Sequence, residues 1–323
     1  MSTGVAVVIV TYNSAREIEA CLRSLEGAGE VVVIDNASQD DTCRRVQAVA
    51  PRARLIRNSR NLGFAAAVNQ GIRATANPLV LLLNPDTVLR STLEPMEREC
   101  LAPEVGAVAG KLVDALGEPQ TGFNVRSFPT PFALAAELLL VNRLWPSNPL
   151  NRRYRRLDLD AGRRQDVEQP AGAFLMVRRD VFDKIGPLDE GFYPIWFEDV
   201  DLCLRIRKAG YAIRYVPGSV AEHQGAHSLR AMPLEQKHLA WYRNLLRFAE
   251  KHYSPAACLA VRVAAGAGLA FRWSACMLKA ERRSECQGYE AAMKHIASRR
   301  SHDSAQVNVQ RRLRPDQVDI HGC

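Results

Sequence analysis

The chain has 323 residues, 47% hydrophobic and 24% charged, which is ordinary globular composition with length for one large domain plus an appendage. A formal net charge of +8 admits nucleic acid, anionic lipid or a phosphorylated ligand as partner and selects none of them. The eight cysteines form no C-x-x-C pair, which excludes zinc-ribbon and thioredoxin-like readings.

Cys21, Cys43 and Cys203 sit in apolar or helical patterns as small core residues, so a reducing compartment is expected. No signal peptide is expected, because Val5–Val10 is short and lacks a basic flank. In chain order, Val5–Val10 is a β-branched run typical of a strand buried on both faces. Asn13 or Ser14 can cap a helix carrying Ile18, Cys21, Leu22 and Leu25. Glu30–Ile34 is a second strand ending in Asp35-Asn36, followed by a helix starting at Ser38 or Asp40. Arg54–Arg57 is a third strand, Phe64–Ala74 a helix and Leu79–Leu83 a fourth strand. This alternation predicts crossovers and a mostly parallel sheet. Such sheets bind ligands beyond the carboxyl ends of their strands. Here those ends carry Thr11-Tyr12-Asn13, Asp35-Asn36, Asn58 to Asn61, and Asn84-Pro85-Asp86.

The middle reads differently. Pro129–Leu144 is expected to be helical, and the charged Asn151–Arg164 to be a mobile loop. Ala171–Val177 is a strand, and "RRDVFDKIG" a short helix with a glycine stop. Residues 200–207 fit either a strand or a helix, and the Gly210 terminator favours helix. Tyr211–Val216 is a further strand. From Leu234 the pattern is helical and basic, with Leu239, Trp241, Leu245, Leu246 and Phe248 among Lys237, Arg243, Arg247 and Lys251. That segment either packs on the first domain or lies on anionic lipid. The run "PAACLAVRVAAGAGLAF" at 255–271 is too short and too Ala/Gly-rich to span a membrane, and Arg262 interrupts it. The tail beyond 298 is expected to be disordered.

Four groups of residues can carry chemistry. Asp35 can accept from a base or ribose, or cap the following helix. Asp86 can hold a hard cation against a diphosphate, or serve as a turn residue. "FYPIWFEDVDLCLR" places Glu198, Asp199 and Asp201 after an aromatic stretch, where a buried carboxylate gains a base's working range. The alternative is an acidic first helical turn favoured by the macrodipole. His223 is either a metal ligand or structural, and matters if Asp86 is its neighbour.

The order of "VVIVTYNS", "VVVIDNASQDDT", "RNSRNLGFAAAVNQGI", "LLLNPD", "GAFLMVRRDVFDKIGPLDEGF" and "WFEDVDLCLRIRKAGY" resembles the family-2 nucleotide-sugar glycosyltransferases, in their bacterial rhamnosyltransferase-like branch. The resemblance covers residues 5–228. It implies an α/β GT-A fold, a Rossmann-like sheet flanked by helices, over residues 1–230. A basic helical extension over 231–298 and a tail over 299–323 complete the chain. It further implies nucleotide-sugar contacts from Thr11, Asn13, Asp35, Asn61, Gly63 and Asn84. Asp86 and His223 would hold a divalent cation, Mg2+ or Mn2+. Asp199 would be the general base, with Gly172, Trp196 and Glu198 on the acceptor side. The implied reaction is inverting transfer of a sugar, rhamnose first, to a saccharide or polyprenyl-linked acceptor in cell-envelope polysaccharide synthesis. The implied location is cytoplasmic or peripheral on the inner membrane face, with no nucleic acid partner. Two departures stand out: Asn84 replaces the usual first aspartate of the metal motif, and Pro187-Leu188 replaces the usual Gly-Phe. The rival readings are a nucleotidyltransferase, against which the absence of a Gly-rich basic loop after the first strand counts, and a non-catalytic nucleotide-sugar binder.

Overall fold

The seven residues Val5–Thr11 form β1, and all of them are buried. A strand hidden this way needs neighbours on both edges and cover on both faces. β2 (Glu30–Asp35) and β4 (Leu79–Leu83) flank it in parallel, and β3 (Arg54–Arg57) extends the sheet beyond β2. α1 (Ile18–Arg23), α2 (Thr42–Val49) and α3 (Phe64–Ala74) supply the crossovers that parallel neighbours require. The computed structural model describes residues 4–225, 232–277 and 283–297, so the tail expected from 299 lies outside them.

The second half inserts strands of the opposite sense. After β5 (Thr87–Leu89) and α4 (Glu94–Glu99) comes β6 (Val105–Val113), which the apolar pattern did not reveal. Gly106, Gly110 and Lys111 interrupt its run. The glycine is structural: a methyl group at Gly110 would lie 2.0 Å from the Phe174 ring. The chain continues through β7 (Val125–Arg126), α5 (Pro131–Leu138), α6 (Val141–Leu144), α7 (Pro149–Tyr154), β8 (Gln165–Val167) and β9 (Gln169–Pro170). Then follow β10 (Phe174–Arg178), α8 (Arg179–Ile185), α9 (Glu198–Lys208) and β11 (Ala212–His223). The sheet order is β3-β2-β1-β4-β10-β6-β11-β5, with β8 beside β11, and β7 and β9 form a separate ribbon. β10 runs antiparallel between β4 and β6. One apolar layer covers each face of the sheet.

Three expectations need correction. The segment Pro129–Leu144 is two helices, broken where Leu140 takes φ +64°. Asn151–Arg164 is not loop throughout: α7 takes its first four residues, turns and irregular chain run through 155–164, and β8 follows in the main sheet. Asn148 caps α7 by accepting the Asn151 N–H at 2.9 Å, and its amide donates to Asn142 Oδ1 at 3.0 Å. Buried asparagines, rather than an apolar stripe, organise that segment, so hydrophobic periodicity was blind to it. The strand expected over Tyr211–Val216 continues to His223 through a register shift between Val216 and Val220.

The C-terminal region contains α10 (Leu234–His252), α11 (Pro255–Met277) and α12 (Arg283–Ala297). In α10, Leu245, Leu246 and Phe248 are buried, while Arg247 and Lys251 hold Asp189. Lys251 and His252 also reach Asp201 at 2.7 Å each. Packing against the 189–201 segment therefore consumes much of the basic face of α10. The apolar run is longer than expected: α11 has 23 residues, enough by length and composition to cross a membrane. One side of it is nonetheless core, where Val261, Ala265 and Leu269 meet Leu134, Leu138 and Leu245. A disulfide between Cys276 and Cys286 joins α11 to α12, which the reduced-cysteine expectation did not anticipate.

Candidate active site

Because β2, β1 and β4 are parallel neighbours, Asp35, Thr11 and Asn84 emerge on one rim. Asp35 is buried and accepts from Thr11 Oγ1 at 2.9 Å and from the Ser38 amide at 2.9 Å. Asn13 stands at φ +53°, donates its N–H to Ser38 Oγ and accepts the Gln39 N–H at 2.8 Å. These bonds stitch the first two strand ends into one floor. Asn61 Oδ1 accepts the Gly63 N–H at 2.9 Å, and the Gly63 carbonyl accepts from the buried Asn36 amide at 3.1 Å. Gly63 has φ +87°, and a methyl group there would lie 2.8 Å from Tyr193 Cδ2. That close approach fits only glycine, and it brings the 58–63 loop against the aromatic stretch.

Asp86 and His223 are brought together by the β5–β11 pairing, in which Thr87 faces His223. Asp86 Oδ1 lies 3.5 Å from His223 Nε2 and is buried with no hydrogen-bond partner. The imidazole is fixed from behind. Gln120 donates its amide N–H to the His223 carbonyl at 2.6 Å, which orients its Oε1 toward Nδ1, 3.0 Å away. Nδ1 is therefore the protonated nitrogen, and the Nε2 lone pair points to the Asp86 side. Burial pushes the His223 pKa down, against the opposing pull of Asp86, which favours the neutral ring. Phe123 stacks on it with centroids 5.0 Å apart. An unsatisfied carboxylate oxygen beside an imidazole lone pair fits a divalent cation, and the Gln120 contact is the kind of support such ligands carry. Among the described residues there is no group of three or more His, Cys, Asp or Glu side chains that could hold a metal ion. The Asn84 side chain, two residues from Asp86, has no hydrogen bond to the described residues, while its amide N–H donates to Ala173 O at 3.1 Å.

Asp199 follows Glu198 in the first turn of α9. Its two oxygens accept backbone N–H groups from Gly172 at 3.1 Å and Val200 at 2.8 Å. Burial pushes its pKa up, and the Arg126 charge pulls against that. A methyl group at Gly172 would sit 3.2 Å from Asp199 Cβ, so Gly172 borders the carboxylate directly. Glu198 is buried with Oε2 unpartnered, and burial followed by the Asp199 charge drives its pKa well upward. Ahead of α9, Trp196 and Phe197 stand at φ +83° and +73°. Consecutive aromatic residues in this region store on the order of 1–3 kcal/mol each. Packing holds them there: Phe197 meets Phe248 at 5.6 Å, and Asn244 of α10 donates to Ile195 O at 2.8 Å.

The structure thus gathers Thr11, Asn13, Asp35, Asn61 and Gly63 at one end of the rim. Asn84, Gly172 and Asp199 follow along it, with Asp86 and His223 on the β5–β11 side. Gln120, Arg126 and Asn244 were not anticipated. Asn244 had a signal, since it falls four residues from Ala240 and Phe248 on the apolar face of its helix. Gln120 and Arg126 had none, because each is a polar residue in a polar turn or short ribbon.

The model of glycosyl transferase family 2 matches residues 6–186. An N-acetylglucosaminyl-diphospho-decaprenol L-rhamnosyltransferase of Mycobacterium tuberculosis is 29% identical over 77% of this chain and 89% of its own. A low-salt glycan biosynthesis hexosyltransferase of Haloferax volcanii is 24% identical over 64% of this chain and 63% of its own. Among solved structures, a mannosyltransferase of Pyrobaculum calidifontis in complex with GDP-Man and Mn2+ is similar over 97% of this chain and 80% of its own, with a TM-score of 0.51 and 18% identity. The fold is that of the GT-A glycosyltransferases. A strand-end rim of this make, on this fold and matched over more than half the chain, places the protein in glycosyl transferase family 2 as a glycosyltransferase.

Proposed function

We propose that the chain transfers a hexosyl group, rhamnose first, from a nucleoside-diphosphate sugar to a lipid-linked saccharide, with inversion at the anomeric carbon. The observation that carries this reading is a half-buried carboxylate, Asp199, with both oxygens fixed by backbone N–H groups on the same rim as the Asp86–His223 pair. The rhamnosyl donor and the polyprenyl-diphosphate acceptor are suggested by the printed name of the Mycobacterium tuberculosis relative.

Thr11, Asn13, Asp35 and the Asn61–Gly63 turn bind the nucleoside at the β1–β2 end. Asp86 and His223 would hold a divalent cation, which would supply charge neutralisation for the leaving diphosphate. Asn84 offers that site a neutral amide. Asp199 takes the proton of the acceptor hydroxyl while the new C–O bond forms, and the old anomeric C–O bond breaks with its electron pair leaving on the diphosphate. Its raised pKa brings it nearer the working range of a base. The aromatic residues at 192–197 and the buried Glu198, whose neutral form burial favours, form the acceptor side and exclude water.

The test uses the purified protein. A thermal-shift screen of nucleotide sugars with Mg2+ or Mn2+ should give its largest shift for a dTDP-sugar, since the ligand bound to the native state stabilises it by mass action. Asp199→Asn should lose about 10²–10⁴-fold in transfer while keeping that shift. Transfer near the wild-type rate by a folded Asp199→Asn protein refutes the base assignment.

A further inference from the structure

We propose that the outer face of α11, together with the α5–α7 segment, is a docking surface for an anionic lipid bilayer on which the protein lies without spanning it. The exposed positions of α11 include Leu259, Val263, Ala267, Phe271, Ser274 and Met277, at helical spacing. None of its exposed positions is charged. Val263 and Phe271 are 63% and 65% exposed. The stripe runs for about 27 Å at 1.5 Å per residue. Its two arginines are turned away: Arg262 reaches Glu250, and Arg272 donates to the carbonyls of Glu137 and Leu138.

Those last bonds set the end of α5 against α11. Gly268 makes the approach possible, since a methyl group there would lie 2.1 Å from Leu138 O. The residues that follow α5 are apolar and exposed as well: Leu144 is 84% exposed and Trp145 57%. The stretch 138–157 holds five arginines and no carboxylate. Among them, Arg143, Arg152 and Arg153 are exposed, with no ion pair among the described residues.

An uncharged helix face, an exposed tryptophan and a rim of unpaired arginines match an anionic interface. A two-fold contact with a second copy would set the exposed Arg143, Arg152 and Arg153 near their own counterparts, which is repulsive. A spanning helix would have to strip Val261, Ala265 and Leu269 from their core. The basic face of α10 is not the docking surface, because Arg247 and Lys251 are bound to Asp189.

Flotation of the full chain with vesicles tests this without any sugar substrate, so its outcome is independent of the transferase reading. The protein should float with phosphatidylcholine–phosphatidylglycerol vesicles at low salt and far less with phosphatidylcholine alone. The double variant Val263→Glu/Phe271→Glu should lose at least about tenfold in partitioning. Changing Arg143, Arg152 and Arg153 to glutamine should lose about fivefold per residue on the anionic vesicles only. Both variants change exposed side chains, and an unchanged thermal melt shows that they fold. Wild-type protein left unbound by anionic vesicles at low salt overturns the proposal. So does wild-type partitioning by either folded variant, and so does a dimer in light scattering that Val263→Glu/Phe271→Glu converts to monomer without a change in lipid binding.

Discussion

Replacing Gln120 by leucine removes the acceptor that keeps the proton on His223 Nδ1. The ring is almost fully buried and stacked on Phe123, so water cannot take over that role. An unpaired buried N–H costs about 1–3 kcal/mol, whereas moving the proton to Nε2 costs less because Asp86 Oδ1 waits 3.5 Å away without a partner. The leucine variant therefore closes the pair on itself: Nε2–H donates to Asp86, and the lone pair a cation needs is gone. Loss of such a supporting contact typically weakens metal binding by about 10–100-fold, which is about 1.4–2.7 kcal/mol. Mn2+ titration followed by the electron paramagnetic resonance of the free ion measures this directly, and 15N shifts of His223 report the tautomer. A Kd for Mn2+ within about twofold of wild type, with Nδ1 still protonated, would refute the reasoning.

Glu198→Gln tests the neutral state of Glu198. Burial raises its pKa in the folded protein, so above the unfolded value the unfolded chain binds fewer protons and stability falls as pH rises. The glutamine variant should melt higher than wild type near pH 8, and the two should converge near pH 4, where free glutamate titrates; no pH dependence of the difference would contradict the shift. Asp201→Asn acts in the opposite sense. Burial alone would push Asp201 up, but His252, Lys251 and Arg205 hold it well below the usual carboxylate range. Breaking that buried cluster should cost about 3–5 kcal/mol in urea unfolding at neutral pH. Its contribution, present above the unfolded carboxylate pKa, should fade in wild type as pH drops through the acid range, so that wild type and variant approach each other there.

The parallel half of the sheet was legible because each of its strands is an apolar run with a polar end. β1 and β4 bury nearly every residue, and such strands announce themselves by composition. β6 was not legible, because its glycines serve ring contacts on a neighbouring strand distant in sequence. The 142–157 segment failed for a related reason, with asparagine side chains where a periodicity argument looks for leucines. In the site, Asp86, Asp199 and His223 are residue types whose chemistry is visible one at a time. Gln120 acts only through His223, 103 positions away. The β5–β11 pairing that joins His223 to Asp86 is equally non-local, and nothing in "VAEHQG" points to it.

The neutral amide at Asn84 gives the proposed cation site a particular character. Asp86 is its one carboxylate, and burial favours the neutral form of the His223 ring. A hard divalent cation seeks about six ligands, most of them oxygen. Two protein atoms leave most of that shell to water and to the diphosphate of the donor. On that proposal, cation and nucleotide sugar would bind as one unit, each supplying ligands or charge the other lacks. A second carboxylate at position 84 would hold the cation more tightly before the donor arrives. It would also add a negative charge beside a diphosphate that is already anionic. With asparagine there, neutralisation of the diphosphate would depend less on competing protein charge, and the 3.0 Å Nδ1–Gln120 contact would aim His223 at the cation.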